Sequence, residues 1–198
     1  KIEMTPRQME AAIEARQAGA EVLLIESLSR FGGSSAMSGG VVYAGGGTAL
    51  QKALKVDDSV EHMYRFIALA GAIHPPLDKI QLYCEESAAH FDWLVAQGVP
   101  YTEKFSGSKE LPMGDESLYF SGTELAWPAR DLATPAPRGH VPGVPGMTGG
   151  RRLMEALLPQ AEALGVSLHA GVSAGRLITE SDGRVAGVMV TIAGEPRA

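Results

Sequence analysis

The chain has 198 residues, of which 45% are hydrophobic and 20% charged, a composition typical of an ordinary globular protein. A net charge of -6 without a basic stripe argues against nucleic acid or an anionic membrane as the main partner. The single cysteine, Cys84, excludes a disulfide framework and a cysteine-based metal cluster. A reducing, cytoplasmic location fits this cysteine usage, no apolar run is long enough to span a bilayer, and the start is polar rather than a secretory leader.

A capping box predicts the first helix. Thr5 is the expected N-cap, Pro6 takes the first helical position and Gln8 completes the box. Apolar residues then recur at helical spacing until Gly19, and the run Glu21–Ile25 follows as a strand. A helix that leads directly into a strand is typical of a wound α/β sheet.

The most informative motif is an acid followed by a loop of glycines and serines. Glu26 ends the apolar run, and the loop Arg30–Gly40 follows. In an open α/β sheet this pattern holds the ribose and pyrophosphate of a dinucleotide, because glycine lets the backbone approach phosphate oxygens and serine hydroxyls donate hydrogen bonds to them. A strand that ends in an acid is common, so coincidence is the alternative for this motif alone.

Helices are predicted for the middle of the chain. After a short strand at Val41–Tyr43, one helix is capped by Asp57–Ser59 and ends at about Gly71, and a longer one covers about Asp78 to Gln97. Regular signals then fade from Pro100 to Gly146, where we expect a long ordered excursion with a hairpin around 118–120.

An α/β pattern returns towards the end of the chain. A helix is predicted from Gly149 to about Gly165, a strand at Val166–Ala170, and a hairpin over Leu177–Val190. The sequence therefore predicts the α/β fold class, with one α/β domain built from residues 1–48 and 149–198. A helical and irregular insertion of residues 49–148 is expected to pack on it.

Several separated motifs together resemble the flavoprotein family of fumarate reductases and 3-ketosteroid Δ1-dehydrogenases. One of them, Pro135–His140, also resembles the subgroup of ketosteroid-dehydrogenase-like FAD proteins. The other motifs that carry the resemblance are Glu26, Gly32–Ser35, Ser38–Gly40, His90–Val99 and Asp182–Val188. The resemblance covers nearly the whole chain from about Ala12, and it implies an incomplete, Rossmann-like FAD-binding domain.

The resemblance also implies a role for each matching residue. Glu26 would bond the adenosine ribose hydroxyls, and Gly32, Gly33, Ser34 and Ser35 would lie by the ribose and pyrophosphate. Ser38, Gly39 and Gly40 would follow the ribityl chain and flavin, and Ala174 would meet the adenine. FAD rather than NAD is favoured by the resemblance and by the second serine–glycine cluster.

Two departures from the family pattern are visible. The family has a strand and a Gly-x-Gly-x-x-Gly turn directly before the first helix, whereas this chain has Lys1–Gln8, and no glycine precedes Gly19. Pro6 removes one donor where the family binds pyrophosphate. Family members also continue well past this length, so we expect a fragment or a truncated gene product that is inactive alone.

The polar and aromatic residues of the excursion are open to two interpretations. Arg138 and His140 could contact substrate or flavin, or they could form a turn whose arginine pairs with a surface carboxylate. Tyr119, with Phe120 and Trp127, could line an apolar substrate pocket or simply pack. No catalytic acid or base is assigned, and the scattered histidines predict no metal site.

Two functions follow. The first is an FAD-dependent oxidoreductase that moves a hydride between the flavin and a CH–CH bond next to a carbonyl, in a small molecule such as a ketosteroid or fumarate. The alternative is a truncated or degenerate homologue that lacks FAD and serves as a non-catalytic binding or interaction module. The missing glycine turn favours the alternative, and the intact Glu26 and Ser34–Gly40 disfavour it.

Overall fold

The computed structural model describes residues 5–71 and 74–197, which form two compact units. One unit contains the residues up to Met37 and those from Met154 onwards, and the other is Ser38–Leu153. The division into an FAD-binding domain of residues 1–48 and 149–198 and an insertion of residues 49–148 stays a prediction.

Helices dominate the middle of the chain and strands its C-terminal part. In order they are α1 (Pro6–Gln17), β1 (Leu23–Glu26), β2 (Val42–Tyr43), α2 (Ala49–Ala53), α3 (Val60–Ala70), α4 (Leu77–Ala96), β3 (Leu118–Tyr119), α5 (Ala129–Leu132), β4 (Gly139–His140), α6 (Gly149–Ala163), β5 (Ser167–Ala170), β6 (Val172–Thr179), β7 (Val185–Ile192) and β8 (Glu195–Arg197).

The first unit contains the predicted α–β step and a parallel strand pair. The Thr5 backbone N–H donates to Gln8 Oε1 at 2.7 Å, which confirms that Gln8 caps α1. β1 pairs in parallel with β5, and Glu26 lies opposite Ala170 as the last pair of the register. The carboxyl ends of both strands therefore lie at the same edge, where open α/β sheets bind their ligands.

The C-terminal hairpin is confirmed and is larger than predicted. β6 and β7 are antiparallel, with a register shift after Ala174, and β8 adds a third strand beside β7. Gly183 occupies the turn with φ +86°, a conformation that favours glycine. Strand β8 has no signal in the sequence pattern because it is only three residues long.

The second unit is a small sheet surrounded by helices. β4 lies in the centre, antiparallel to both β2 and β3. The predicted hairpin around 118–120 is therefore wrong: β3 pairs with a strand about twenty residues further on, and such a distant pairing leaves no local turn signal. One hydrophobic cluster in the core of this unit contains Ala44, Leu50, Phe91 and Leu118.

Candidate cofactor site

Glu26 presents an oriented carboxylate at the end of β1. Its side chain is fully buried, and its Oε1 accepts hydrogen bonds from the Leu28 backbone N–H at 2.8 Å and from the Ser27 hydroxyl at 3.1 Å. These bonds fix the carboxylate in one orientation at the carboxyl edge of the parallel strands, the edge at which open α/β sheets bind their ligands. In the same unit, Ala174 is exposed on β6, opposite Val190.

The first half of the glycine–serine loop is a tight turn that requires glycine. Gly32 and Gly33 both have positive φ, +112° and +46°. A Cβ at Gly32 would lie 2.7 Å from Ala36 Cβ, because the Ala36 N–H folds back onto the Gly32 carbonyl at 2.9 Å. The turn continues into a 3₁₀ turn at Ser35–Met37 and leaves Ser34 exposed.

The second half of the loop belongs to the other unit. Ser38 is exposed and its hydroxyl accepts the Gly40 N–H at 3.2 Å. Gly40 is buried with φ +71°, so its backbone again takes the region that favours glycine. The predicted cofactor residues thus fall into two sets, one in each unit.

Arg138 is a fully buried cation with a buried carboxylate as its partner. Its Nε and Nη2 donate to Asp58 at 3.0 and 2.7 Å, and both side chains have 0% exposure. Asp58 Oδ2 also accepts from the Gly46 N–H and from Gln51 Nε2, each at 3.0 Å. Burial alone would lower the pKa of Arg138, but the hydrogen bonds and charge of Asp58 outweigh it and raise that pKa.

His140 is held in the same interior as a neutral ring. Its Nδ1 lies 3.0 Å from the Arg138 carbonyl oxygen and its Nε2 lies 2.9 Å from Thr48 Oγ1. A carbonyl only accepts, so Nδ1 carries the proton and Nε2 accepts from the Thr48 hydroxyl. Burial lowers the pKa of His140 to about 4, so the ring is uncharged at neutral pH. Its face packs on Phe91, with 4.5 Å between ring centroids.

Tyr119 lies opposite Gly139 in the same sheet as these two residues. It is 5% exposed, and burial raises its pKa. Nearby, the Tyr43 hydroxyl donates to the buried Glu124 Oε1 at 2.9 Å. The structure therefore brings Tyr119, Arg138 and His140 together on β3, β4 and the residue before β4. Contact between any of them and a substrate stays a prediction.

The aromatic residues predicted to line a substrate pocket differ in their exposure. Trp127 is 74% exposed, whereas Phe120 is half-buried and packs edge-on against Phe105 with ring centroids 6.0 Å apart. The sequence interpretation that gave Arg138 a surface carboxylate as partner is wrong, because Asp58 is buried. Neither Asp58 nor Glu124 stands out in the sequence, since each partner lies about eighty residues away.

Comparison with known proteins identifies the family. The model of the FAD binding domain family matches residues 9–198. The chain belongs to the FAD-binding domain family. It is 36% identical over 197 residues to the 3-oxo-5-alpha-steroid 4-dehydrogenase of Comamonas testosteroni, a match that covers 94% of this chain and 36% of the relative. It is also 32% identical over 114 residues to the urocanate reductase of Eggerthella lenta, covering 54% of this chain and 19% of that protein.

Two solved structures show the same fold. The 3-ketosteroid-delta4-(5alpha)-dehydrogenase of Rhodococcus jostii RHA1, solved with 4-androstene-3,17-dione, is 41% identical with a TM-score of 0.91, and the match covers 98% of this chain and 41% of that one. An open flavocytochrome c3 fumarate reductase is 24% identical with a TM-score of 0.75, covering 95% and 29%. The predicted family resemblance and fold class are confirmed. The chain spans about two fifths of the length of the steroid dehydrogenases that it matches.

FAD is the cofactor of this family, and the residues present fit it. Glu26 is an oriented acceptor of the kind that ribose hydroxyls require. Ser34 and Ser38 are exposed hydroxyls, and Gly32 and Gly40 have backbone conformations that only glycine takes readily. Among residues 5–71 and 74–197, no group of three or more histidine, cysteine, aspartate or glutamate side chains could hold a metal ion, and no helix could cross a bilayer.

Proposed function

We propose that the chain is part of an FAD-dependent oxidoreductase that transfers a hydride between the flavin and a CH–CH bond next to a carbonyl of a ketosteroid. The observation that carries this proposal is the match to a ketosteroid dehydrogenase over 98% of the chain at 41% identity. Fumarate-type substrates are less favoured, because the match to the fumarate reductase is only 24% identical. When bound, FAD supplies the hydride acceptor or donor.

In this proposal the residues of the chain bind and orient the cofactor. Glu26 accepts hydrogen bonds from the adenosine ribose hydroxyls, while Ser34 and Ser35 donate to the ribose and pyrophosphate. Gly32 and Gly33 supply the tight turn. The backbone of Ser38–Gly40 follows the ribityl chain and flavin, and Ala174 meets the adenine. The bonds from the Leu28 N–H and the Ser27 hydroxyl orient the carboxylate before a ligand arrives, which supports Glu26 as the anchor.

The substrate side of the proposal rests on the second unit. Tyr119, Arg138 and His140 are the predicted substrate residues, and they lie together around β4. No residue of this chain is assigned as the catalytic acid or base. The chain spans about two fifths of the steroid dehydrogenases that it matches, and alone it is expected to be inactive.

One observation supports the alternative of a homologue without FAD. The first turn of α1, where the family binds pyrophosphate, is partly closed by its own residues: Pro6 has no N–H, and the Gln8 N–H donates to the Thr5 carbonyl at 3.1 Å. A helix start occupied in this way has fewer donors left for a phosphate.

Titration of the purified chain with FAD separates the two functions. We expect saturable binding by calorimetry, with affinity at least about tenfold lower in Glu26→Gln because losing the carboxylate removes a charge-assisted hydrogen bond of about 1.5–3 kcal/mol. Glu21→Gln is the matched control, since Glu21 is exposed and lies just before the same strand. A chain that binds no added FAD would support the non-catalytic alternative.

A further inference from the structure

The loop segment Ser38–Gly40 crosses the first turn of α6 with backbone against backbone. The Gly150 N–H donates to the Ser38 carbonyl oxygen at 3.0 Å. The first N–H groups of a helix have no partner within the helix, so this bond satisfies one of them from outside. Both segments belong to the unit Ser38–Leu153. We call this contact the glycine crossing, formed by Ser38–Gly40 and Gly149–Gly150.

Space in the glycine crossing is limited on both sides. A Cβ at Gly40 would lie 2.3 Å from the Gly149 carbonyl carbon, and a Cβ at Gly149 would lie 2.2 Å from the Gly39 carbonyl oxygen. Real Cβ atoms do not approach other atoms so closely. The atoms in the way are backbone atoms, so neither can rotate aside as a side chain would. Any side chain at Gly149 must displace the Ser38–Gly40 backbone or the start of α6.

Two other glycines show that this restriction is local. A Cβ at Gly39 would meet Leu111 Cδ2 at 2.6 Å, but that atom is the end of a flexible side chain and can move. A Cβ at Gly107 would meet no atom within 4 Å. An added Cβ therefore displaces backbone at Gly40 and Gly149, displaces a side chain at Gly39, and displaces nothing at Gly107.

We infer that Gly149 and Gly150 are positioning residues for the flavin. This inference rests on the proposed function, in which the backbone of Ser38–Gly40 follows the ribityl chain and flavin. The path of that backbone is set by the glycine crossing at one side and by the pairing of β2 with β4 directly after it. Gly149 and Gly150 lie about 110 residues away in sequence and act on the flavin only through Ser38–Gly40.

Flavin binding and the visible circular dichroism of the bound flavin test this role. Gly149→Ala is expected to weaken FAD binding at least about tenfold, or to change the visible dichroism of whatever flavin remains bound, because both depend on the path of the Ser38–Gly40 backbone. Gly107→Ala is the matched control and should leave both unchanged. A general loss of stability alone would lower the unfolding temperature without altering the dichroism of the bound flavin.

A second variant covers the case in which Gly149→Ala does not fold. Gly150→Pro removes the N–H that bonds Ser38 yet is compatible with a first helical turn, and it should also alter the bound-flavin dichroism. Wild-type affinity and dichroism in both variants would overturn the inference and leave the proposed function standing. Absence of FAD binding in the wild-type chain would overturn both, so the two failures are distinguishable.

Discussion

At the scale of single residues, Arg138 and Asp58 form an ion pair that is buried inside the second unit. Both side chains have 0% exposure and share two hydrogen bonds. We expect Arg138→Met or Asp58→Asn to lower the free energy of unfolding by about 3–5 kcal/mol. Removing one partner leaves the other buried without its opposite charge and without its hydrogen bonds. Urea unfolding at neutral pH measures this loss.

The exposed pair Arg65–Glu61 provides the control for that measurement. Its side chains are 56% and 62% exposed, so Glu61→Gln should cost less than about 1 kcal/mol. The double variant Arg138→Met with Asp58→Asn should lose less than the sum of the single losses, since no uncompensated charge is then left. Equal losses in the buried and exposed pairs would mean that burial does not increase the cost of breaking the Arg138–Asp58 pair.

His140 predicts how stability depends on pH. Its folded pKa is lowered to about 4, whereas an unfolded histidine titrates near about 6.5. Between these values the unfolded state binds the proton and the folded state does not. The contribution of His140 to stability is therefore fully present above about pH 6.5 and is lost as the pH drops towards about 4. The loss attributable to His140 at pH 5 is about 2 kcal/mol.

Urea unfolding at pH 7.5 and at pH 5 in two variants isolates this contribution. His140→Gln keeps a hydrogen-bonding side chain but cannot titrate, so its stability should fall about 2 kcal/mol less on acidification than that of the wild type. His169→Gln, at an exposed position of β5, should behave as the wild type does. Identical pH dependence in wild type and His140→Gln would mean that the ring is not held neutral by burial.

The sequence could predict some residues and not others for a physical reason. The capping pair Thr5 and Gln8 lie three positions apart, so their contact is visible in the local pattern. Asp58 and Arg138 lie eighty positions apart, and nothing in the charge pattern links them before the chain folds. For His140, the sequence left contact with a ligand and a structural role open, and only its bonds to Thr48 and to the Arg138 carbonyl define its protonation state.

At the scale of elements, periodicity predicts the long elements and misses several of the short ones. α4 has twenty residues and the C-terminal hairpin has two strands of eight, and the pattern located both. α2 has five residues and β4 has two, which is below the length at which hydrophobic spacing distinguishes helix from strand. A local signal for α2 did exist, since Thr48 accepts the Gln51 N–H at 3.1 Å as an N-cap.

The short elements matter because they organise the interior of the second unit. Thr48, the N-cap of α2, also meets His140 of β4. Gln51 of α2 receives the Gly47 and Thr48 N–H groups at 3.0 Å and donates to Asp58. The backbone N–H groups of the Gly45–Gly47 triplet thus donate to side chains of their own unit, and Ser87 accepts the one from Gly45. This second glycine run is structural, in contrast to the predicted cofactor loop before it.

At the scale of the whole molecule, the fold and family were predictable because several motifs occur in the family order, and the FAD binding domain model matches residues 9–198. The substrate was not, since the chain spans about two fifths of the steroid dehydrogenases that it matches. Experiments on this chain by itself can test which part of the cofactor it binds.

The proposed site predicts that the adenosine diphosphate half of FAD is the main source of affinity. Glu26, Ser34 and Ser35 are assigned to the ribose and pyrophosphate, and charge-assisted hydrogen bonds are the strongest that such residues form. ADP should therefore raise the unfolding temperature and compete with FAD, whereas riboflavin, which lacks that half, should do neither at equal concentration. A ligand at 100 times its Kd stabilises the folded state by about 2.7 kcal/mol, which thermal unfolding detects readily.

In Glu26→Gln the shift in unfolding temperature caused by ADP should shrink at the same ligand concentration, while that in Glu21→Gln is retained. Stabilisation by riboflavin with none by ADP would place the cofactor's affinity at the flavin instead and contradict the assignment of Glu26.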